Sequence, residues 1–210
     1  MRLQSRLVLS AALLTTLGCS PLAPKPDYSK FFVLSPISDA AGTTSLGSTS
    51  RLVIGVGPID FPGYLKRLEL VTRDGANRLE VSSVDRWGEP LDKNFTQILG
   101  ENLARLLGTD HIEQYPWSRK TEVDYQIAVA VQLFETTADN QSQLEARWTI
   151  KDGATGKTMF TSQTTATTPA GTGEAAIATA LSNDLSTLSR HIATQLIQLS
   201  EQRRPNRLDN

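Results

Sequence analysis

Residues 85–91 read Asp85-Arg86-Trp87-Gly88-Glu89-Pro90-Leu91, and they open the most regular helical pattern in the chain. Pro90 suits the first position of a helix, where its missing N–H costs no hydrogen bond. Apolar residues then recur at the spacing of one helix face: Leu91, Phe95, Ile98, Leu99, Leu103 and Leu106. Gly108 follows Leu107 and is a typical C-terminal stop. The pattern predicts an amphipathic helix that ends at Leu107 and packs on a β-sheet supplied by the flanking segments.

Two tryptophans near this pattern allow two interpretations each. Trp87 stands directly before the helix, and we interpret it as a core or rim aromatic that closes one end of the helix–sheet packing. Trp117 follows Pro116 and precedes a polar, basic stretch, and a core position is again the favoured interpretation. The alternative for both Trp87 and Trp117 is an aromatic contact with a partner protein.

The composition limits the class of protein. The chain has 210 residues, a formal net charge of -1 and 39% hydrophobic residues, which predicts one globular domain with a substantial core. A charge so near zero gives no electrostatic case for nucleic-acid binding. The single cysteine, Cys19, excludes a disulfide framework and a cysteine-based zinc site.

The N-terminus has the parts of a secretory signal peptide. Arg2 and Arg6 precede an apolar run at 7–14, and the small residue Gly18 comes directly before Cys19. This arrangement resembles a bacterial lipoprotein signal, which implies cleavage before Cys19 and lipidation of that cysteine. The alternative is an ordinary signal peptide with an incidental cysteine, which we disfavour because an exposed free thiol is a liability in an oxidising compartment.

Two neighbouring positions refine the lipoprotein interpretation. Thr16 stands where these signals normally carry leucine. Ser20, rather than aspartate, follows the cysteine, and this resembles lipoproteins that are sorted to the outer membrane. The predicted organisation is a signal peptide at 1–18, a lipidated proline-containing tether at 19–27, a folded domain at 28–200 and a disordered tail at 201–210.

The folded domain is predicted to be α/β (α+β), a single mixed β-sheet packed by two long helices. Strands are predicted at 28–34, 51–57, 68–72, 78–81, 112–115, 123–134, 144–150 and 158–165. The mostly apolar segment 51–57 is expected in the centre of the sheet, ended by Pro58 and Pro62. The last three strands are expected to form an antiparallel meander. The core face of the first of them is expected to carry Val123, Tyr125, Ile127, Val129, Val131 and Leu133.

A second long helix is predicted over 174–200. Its apolar stripe keeps a seven-residue period: Ile177, Leu181, Leu185, Leu188, Ile192, Leu196 and Leu199. Packing of this stripe across the same sheet is the favoured interpretation. The alternative is that part of the stripe meets a partner subunit.

Several motifs that suggest chemistry have simpler explanations. The stretch 153–158 resembles the end of a phosphate-binding loop, but Lys151 occupies the first glycine position and a strand follows, so a hairpin turn is predicted. The pair Gly55 and Gly57 lacks the third glycine of a dinucleotide fingerprint. The two histidines, His111 and His191, have no metal-ligand spacing.

The carboxylates Asp85 and Glu89 are close enough in sequence to act as a catalytic pair. Capping and ion pairing with Arg86 explain them more simply. No catalytic constellation is found, and neither a metal nor a cofactor is predicted. The sequence therefore favours a protein that is not an enzyme.

A combination of short motifs carries a resemblance to a known family. They are Tyr28, Phe31-Phe32-Val33-Leu34-Ser35-Pro36, Ile54-Gly55-Val56-Gly57-Pro58, Pro62, Tyr64-Leu65, Arg67, Leu70-Val71-Thr72-Arg73, Asn77-Arg78-Leu79, Arg86-Trp87-Gly88-Glu89-Pro90-Leu91, Glu101-Asn102-Leu103, Tyr115-Pro116-Trp117 and Asp124-Tyr125. Together they resemble the ABC-type transport auxiliary lipoproteins, a family that includes the paraquat-inducible protein C (PqiC) lipoproteins. Leu68 and Gly88 depart from the proline and alanine that are common there.

The resemblance implies a periplasmic α/β domain held on the periplasmic side of the outer membrane. It implies action with an inner-membrane permease and a mammalian-cell-entry (MCE) type protein in moving lipids between membranes, without hydrolysis of ATP by this chain. Members of the family can be oligomeric, and the family supplies no catalytic site. The alternative function is a carrier that itself binds a lipid or a small apolar ligand. A sizeable apolar cavity under the helices favours the carrier, and a filled core argues against it.

Overall fold

A computed structural model describes residues 28–38, 51–118 and 120–203. The predicted signal peptide, the lipidation site Cys19 and its tether, and the last part of the predicted tail lie outside these residues. The described residues form a single α+β domain with one mixed sheet of eight strands and two long helices, as predicted. In chain order the elements are β1 (Lys30–Phe32), β2 (Ile54–Asp60), β3 (Glu69–Arg73), β4 (Leu79–Trp87), α1 (Leu91–Leu107), β5 (Ile112–Gln114), β6 (Tyr125–Thr137), β7 (Gln141–Asp152), β8 (Thr158–Pro169) and α2 (Glu174–Arg203).

The sheet is organised around β6. One path through it runs β1-β4-β3-β6-β2-β5, and β7 and β8 continue from the other side of β6. Strand β2 pairs in parallel with β6 and β5, so it lies inside the sheet, as its apolar sequence predicts. Strands β6, β7 and β8 form the predicted antiparallel meander. Strand β6 pairs with β7 along one edge, and β2 and β3 follow each other along its other edge, so β1 and β5 lie on the same side of β6.

Helix α1 has the predicted ends. Pro90 precedes its first residue, and Gly108 closes it in the left-handed conformation with φ 63°, its N–H bonded to the carbonyl of Ala104. The predicted stripe is buried against the sheet. Within this core the ring of Phe95 meets the edges of Phe61 and Phe134 at 5.0 and 5.2 Å between centroids.

The stretch 85–91 itself is a strand, a turn and a helix start. Strand β4 was expected to end near residue 81, but it continues to Trp87 because residues 85–87 pair with β1. Trp87 therefore enters the core from the end of a strand and not from the helix. This placement fits the favoured interpretation of Trp87, which is 4% exposed.

Helix α2 buries its apolar stripe within this chain. The side chains of Leu185, Leu188 and Ile192 are fully buried, and the helix packs on α1, β7 and β8. This confirms the favoured interpretation, in which the apolar stripe of α2 packs across the same sheet. Nowhere in the described ranges does a helix have the combined length and apolarity that crossing a bilayer requires.

The C-terminal end of α2 lies beyond its predicted end. The helix continues through residues 201–203, which were expected to begin the disordered tail. Arg203 explains the extension, because its guanidinium lies 3.1 Å from Asp152 and 5.6 Å from the ring centre of Tyr125. These contacts join the last helical turn to the end of β7 and the start of β6.

Two β-bulges also depart from the predicted strands. Strand β2 was expected to end at Pro58, but it continues to Asp60 across a register shift between Val56 and Ile59. A second shift, between Val131 and Leu133, interrupts the alternation in β6. Leu133 is therefore only half-buried, and Phe134 takes the core position that was expected for it.

Candidate functional site

Among the described residues, the interior beneath the two helices is closely packed. The cavity there, lined by Leu70, Trp87, Leu91 and Leu181 among others, measures about 10 Å³. That volume is about one water-sized sphere, whereas ligand pockets usually span about 300–1,000 Å³. The burial of Trp87 in this wall also leaves its indole little surface to offer a partner.

The more open feature is a surface cleft at the N-terminal half of α1. It has a volume of about 480 Å³ and is open to solvent. Its walls come from β2, the start of α1 and the end of β5, with these lining residues: Val56, Gly57, Pro58, Ile59, Glu89, Asp92, Lys93, Thr96, Gln97, Gln114 and Tyr115. Charged, polar and apolar groups thus share one concave surface.

An aromatic segment, Tyr115-Pro116-Trp117, borders this cleft and lies against the glycines of β2. A Cβ atom on Gly55 would come within 2.7 Å of the indole of Trp117. A Cβ atom on Gly57 would come within 2.6 Å of the Cβ of Tyr115, and the φ of Gly57 is +121°. The two glycines therefore serve close packing of the aromatic segment, which is one of the recognised uses of glycine inside a strand.

The aromatic segment is only partly covered. Trp117 is half-buried, and Tyr115 exposes 53% of its surface. The two rings meet edge to face at 5.5 Å and 88°. The backbone N–H of Tyr115 also donates a 2.9 Å hydrogen bond to the carbonyl of Val56. The structure thus holds an exposed tyrosine rigidly at the mouth of the cleft, and it gives Trp117 a packing role with some surface remaining.

Buried side-chain amides connect α1 to the chain that follows β1. The Oδ1 atom of Asn94 accepts the N–H of Leu34 at 2.7 Å, and its Nδ2 atom donates to Glu89 at 2.9 Å. Asn102 accepts the N–H of Ile37 at 2.8 Å and donates to Ser189 of α2 at 3.1 Å. These contacts give a structural reason for Glu89 and Asn102 in the motifs quoted above.

The predicted ion pairs of Asp85 and Glu89 are not formed. Asp85 accepts the hydroxyl hydrogen of Ser82 at 2.7 Å instead. Within the described ranges neither carboxylate forms an ion pair with Arg86. The expectation failed because Asp85 points into the core face of β4, and Glu89 turns toward Asn94 on the helix.

A buried network of three ionisable side chains lies at the far end of β6. Glu135 is 1% exposed, and the hydroxyl of Tyr64 donates to its Oε2 atom at 2.7 Å. The Nε atom of Arg73 donates to the other carboxylate oxygen. Burial and the hydrogen bond to Glu135 raise the pKa of Tyr64 to about 12, and the Glu135 hydrogen bond raises the pKa of Arg73. The network thus keeps Tyr64 protonated further into the alkaline range and fixes the 3-10 turn Gly63–Leu65 to β3 and β6.

Sequence reasoning did not find this network. Arg73 and Glu135 are 62 residues apart, and Tyr64 and Glu135 are 71 apart. The available signal was the position of Glu135 within the apolar run of β6, because a buried carboxylate needs partners.

The remaining candidate residues have structural partners. His191 shares a 3.0 Å hydrogen bond with Thr164, which also accepts the indole N–H of Trp148. In the part of the chain that the structure describes, no group of three or more His, Cys, Asp and Glu side chains is placed to hold a metal ion. The stretch 153–158 is the predicted hairpin turn between β7 and β8, in which Gly156 donates its N–H to Asp152 at 2.8 Å.

Comparisons with known proteins agree on the family and the fold. The family model for the ABC-type transport auxiliary lipoprotein component matches residues 32–193. A crystal structure of an uncharacterized protein shares 16% identity over 80% of this chain and 98% of its own, with a TM-score of 0.65. Protein XCC0632 from Xanthomonas campestris shares 12% identity over 84% of this chain and 99% of its own, with a TM-score of 0.66. At these identities the two structures establish a shared fold. Curated protein sequences give no match.

Proposed function

The chain belongs to the ABC-type transport auxiliary lipoprotein family, and we propose that it is the outer-membrane-anchored accessory protein of an intermembrane lipid transporter. In this proposal the lipidated Cys19 holds the domain on the periplasmic side of the outer membrane. The domain then docks an MCE-type protein that works with an inner-membrane permease. The chain contributes binding and positioning, and it catalyses no reaction.

One observation carries the docking role. The described domain presents an exposed tyrosine at the mouth of an open 480 Å³ cleft, while the space beneath its helices is filled. Tyrosine at the edge of a partly desolvated groove is a common centre of binding energy at protein interfaces. The hydrogen bond from Tyr115 to Val56 and the packing of Trp117 on Gly55 hold this tyrosine in place before a partner arrives. Such preorganisation lowers the entropic cost of association.

The structure does not favour the carrier alternative. A carrier needs an enclosed apolar pocket large enough for its ligand. The cavity beneath the helices, at about 10 Å³, has no room for an acyl chain. The cleft is open and is lined by Glu89, Asp92 and Lys93 as well as by apolar groups, which suits a protein surface better than a lipid tail.

The proposal is tested by affinity purification from detergent-solubilised envelopes, with co-purifying proteins identified by mass spectrometry. The wild type is compared with Cys19→Ala, with Tyr115→Ala and with Met159→Ala, a matched control because Met159 is exposed on β8 far from the cleft in the sheet order. We expect the wild type and Met159→Ala to recover an MCE-type protein or a permease, and Tyr115→Ala to recover less. Cys19→Ala is expected to leave the membrane fraction. Recovery of the wild type alone with bound lipid would replace the accessory role by the carrier role.

A further inference from the structure

The edge strand β1 exposes apolar side chains on the sheet face opposite the helices. Phe31 is 64% exposed and Val33 is 54% exposed, while the alternate residue Leu34 is buried. The register places Phe31 beside Arg86 and Phe32 beside Trp87, so Phe31 and Arg86 share the face away from the core. These exposed groups are too large and too close together to be explained by chance scatter of single apolar residues.

The neighbouring strand enlarges this surface. Val84 precedes Arg86 by two positions in β4, so it lies on the same face, and it is also exposed. Val33 reaches over Gly88, where an added Cβ atom would lie 3.1 Å from its side chain. We call the group formed by Phe31, Val33, Val84 and Arg86, with the exposed Tyr28 at the start of the strand, the β1 patch.

The β1 patch lies at an open edge of the sheet, where Lys30 is the one charged residue of the strand. Within the described ranges β1 pairs with β4 alone, which leaves its other side open. Exposed edges normally carry inward charges, prolines or bulges that prevent association. Here aromatic and branched side chains stand beside the single charge of Lys30, and the Nε atom of Arg86 is buried without a hydrogen-bond partner. The patch therefore has the composition of a contact surface.

The chain before β1 limits the distance between the patch and the predicted lipid anchor. Tyr28 follows the predicted lipidation site Cys19 by nine residues. Nine residues span at most about 30 Å when fully extended, so the start of β1 stays within that distance of the acyl chains. Aromatic side chains prefer the headgroup region of a bilayer, and an arginine among them can donate to lipid phosphate oxygens.

We propose that the β1 patch rests on the bilayer into which the Cys19 anchor inserts, with Phe31 and Val33 in the headgroup region and Arg86 bound to lipid phosphate. This inference depends on the anchoring part of the proposed function. It orients the domain, with the exposed face of β1 on the lipid and the opposite face, where α1 lines the cleft, turned toward the periplasm.

The test uses the full lipidated chain in vesicles of phosphatidylethanolamine and phosphatidylglycerol. Cys19 is the single cysteine of the chain and its thiol is acylated, so an added cysteine is the only site for a nitroxide spin label. The label is placed by Phe31→Cys or Val33→Cys, and by Met159→Cys as a matched control on the exposed surface of β8. Collisions of the label with oxygen, which concentrates in lipid, are compared with collisions with a water-soluble nickel chelate.

We expect the ratio of oxygen to nickel collisions at positions 31 and 33 to exceed that at position 159 by severalfold. Equal ratios at all three positions would overturn the inference, since the patch would then face water. Exclusion of both reagents from positions 31 and 33 would also overturn it, because a protein surface would then cover the patch. Flotation of the same vesicles tests the anchor separately. Protein that floats but has a water-exposed label contradicts only the membrane contact of the patch. Protein that does not float contradicts the anchoring itself.

Discussion

The indole ring of Trp117 occupies the space beside Gly55 that any larger residue would need. A Cβ atom at Gly55 would lie 2.7 Å from this ring, closer than side-chain carbons approach in folded proteins. The glycines of the Gly55-Val56-Gly57 sequence therefore belong with Trp117 and Tyr115 as one packing unit, although 62 residues separate Trp117 from Gly55 in the chain. This unit holds the exposed Tyr115 at the cleft, and the predictions begin with it.

The substitution Gly55→Ala is expected to displace Trp117 and to lower the free energy of unfolding by about 1–3 kcal/mol, the usual cost of overpacking. Urea unfolding measures the loss of stability, and quenching of tryptophan fluorescence by iodide measures the displacement. Trp87 and Trp148 are 4% and 3% exposed, so Trp117 dominates the quenching. The matched control is Gly63→Ala, because an added Cβ there meets no atom within 4 Å. Equal behaviour of the two variants would contradict the packing unit.

The Tyr64–Glu135 hydrogen bond predicts a loss of stability in alkali. The pKa of Tyr64 in the folded protein is raised to about 12, so the neutral phenol is favoured by folding. Its contribution is therefore fully present below the ordinary tyrosine pKa near 10 and is lost as the pH rises toward 12. We expect Tyr64→Phe to lack this part of the pH dependence and to be less stable at neutral pH by about 1.5–3 kcal/mol, typical of a hydrogen bond to a charged group.

Denaturant unfolding at several pH values between about 9 and about 12 measures this loss of stability, because the range includes the pKa of tyrosine. Tyr28→Phe is the matched control, since Tyr28 is largely exposed. An alkaline slope that stays the same in Tyr64→Phe would refute the assignment.

Asp184 predicts a pH dependence of the same sign in the acidic range. It is fully buried in α2 and accepts hydrogen bonds from the hydroxyls of Ser142 and Thr168, each at 2.6 Å. Burial raises the pKa of Asp184 above its ordinary value. The folded state then holds the proton more tightly than the unfolded state, so the contribution of Asp184 to stability is greatest at low pH and declines as the pH rises through the folded pKa.

The isosteric substitution Asp184→Asn removes this titration. The Ser142 hydroxyl also lies 3.1 Å from the carbonyl oxygen of Thr168. It can therefore donate its own hydrogen to that carbonyl and accept a hydrogen bond from the new amide group. We expect the stability of Asp184→Asn relative to wild type to improve from acidic to neutral pH. Urea midpoints across that range provide the measurement, with the exposed Asp110→Asn as control. A stability difference that does not change with pH would rule the explanation out.

The end of α2 provides a test of the helix extension. Arg203→Ala removes both the ion pair with Asp152 and the contact with the Tyr125 ring. Because the pair is partly exposed, we expect a loss of only about 0.5–1 kcal/mol. The clearer result is faster amide hydrogen exchange in residues 200–203, measured by mass spectrometry. Unchanged exchange there would show that these contacts do not hold the last turn.

The same contact has a defined pH dependence. Hydrogen bonds from the N–H and hydroxyl of Thr155 hold the pKa of Asp152 below its usual range, and Arg203 adds to this effect. The contribution of Asp152 is therefore present above the ordinary aspartate pKa and is lost as the pH falls through the lower, folded value. The protection of the amides in the last turn of α2, taken relative to their intrinsic exchange rates at each pH, should accordingly decrease in acid.

Local signals account for what the sequence predicted well. Pro90 and Gly108 define the ends of α1 through backbone geometry that any surrounding fold must respect. The alternating pattern of β6, β7 and β8 likewise determines a meander whose strands follow each other in the chain. Local sequence does not show a bulge, so the exchange of Leu133 for Phe134 on the core face could not be predicted.

Long-range contacts account for what was missed. The packing role of the β2 glycines was not predicted, because their partners lie in the segment after β5. Glu135 and Arg73 form their ion pair only once β3 and β6 lie side by side. Residues 85–87 were placed with the helix because their pairing with β1 is invisible in the local pattern.

The most direct test of the docking role is photo-cross-linking in living cells. A photoreactive phenylalanine analogue is incorporated at position 115, at the mouth of the cleft, and at position 159 as the control on β8. The account predicts a cross-link from position 115, absent at position 159, to an MCE-type or permease protein identified by mass spectrometry. Cross-links from position 115 only to lipid, or the same products from both positions, would contradict the docking role.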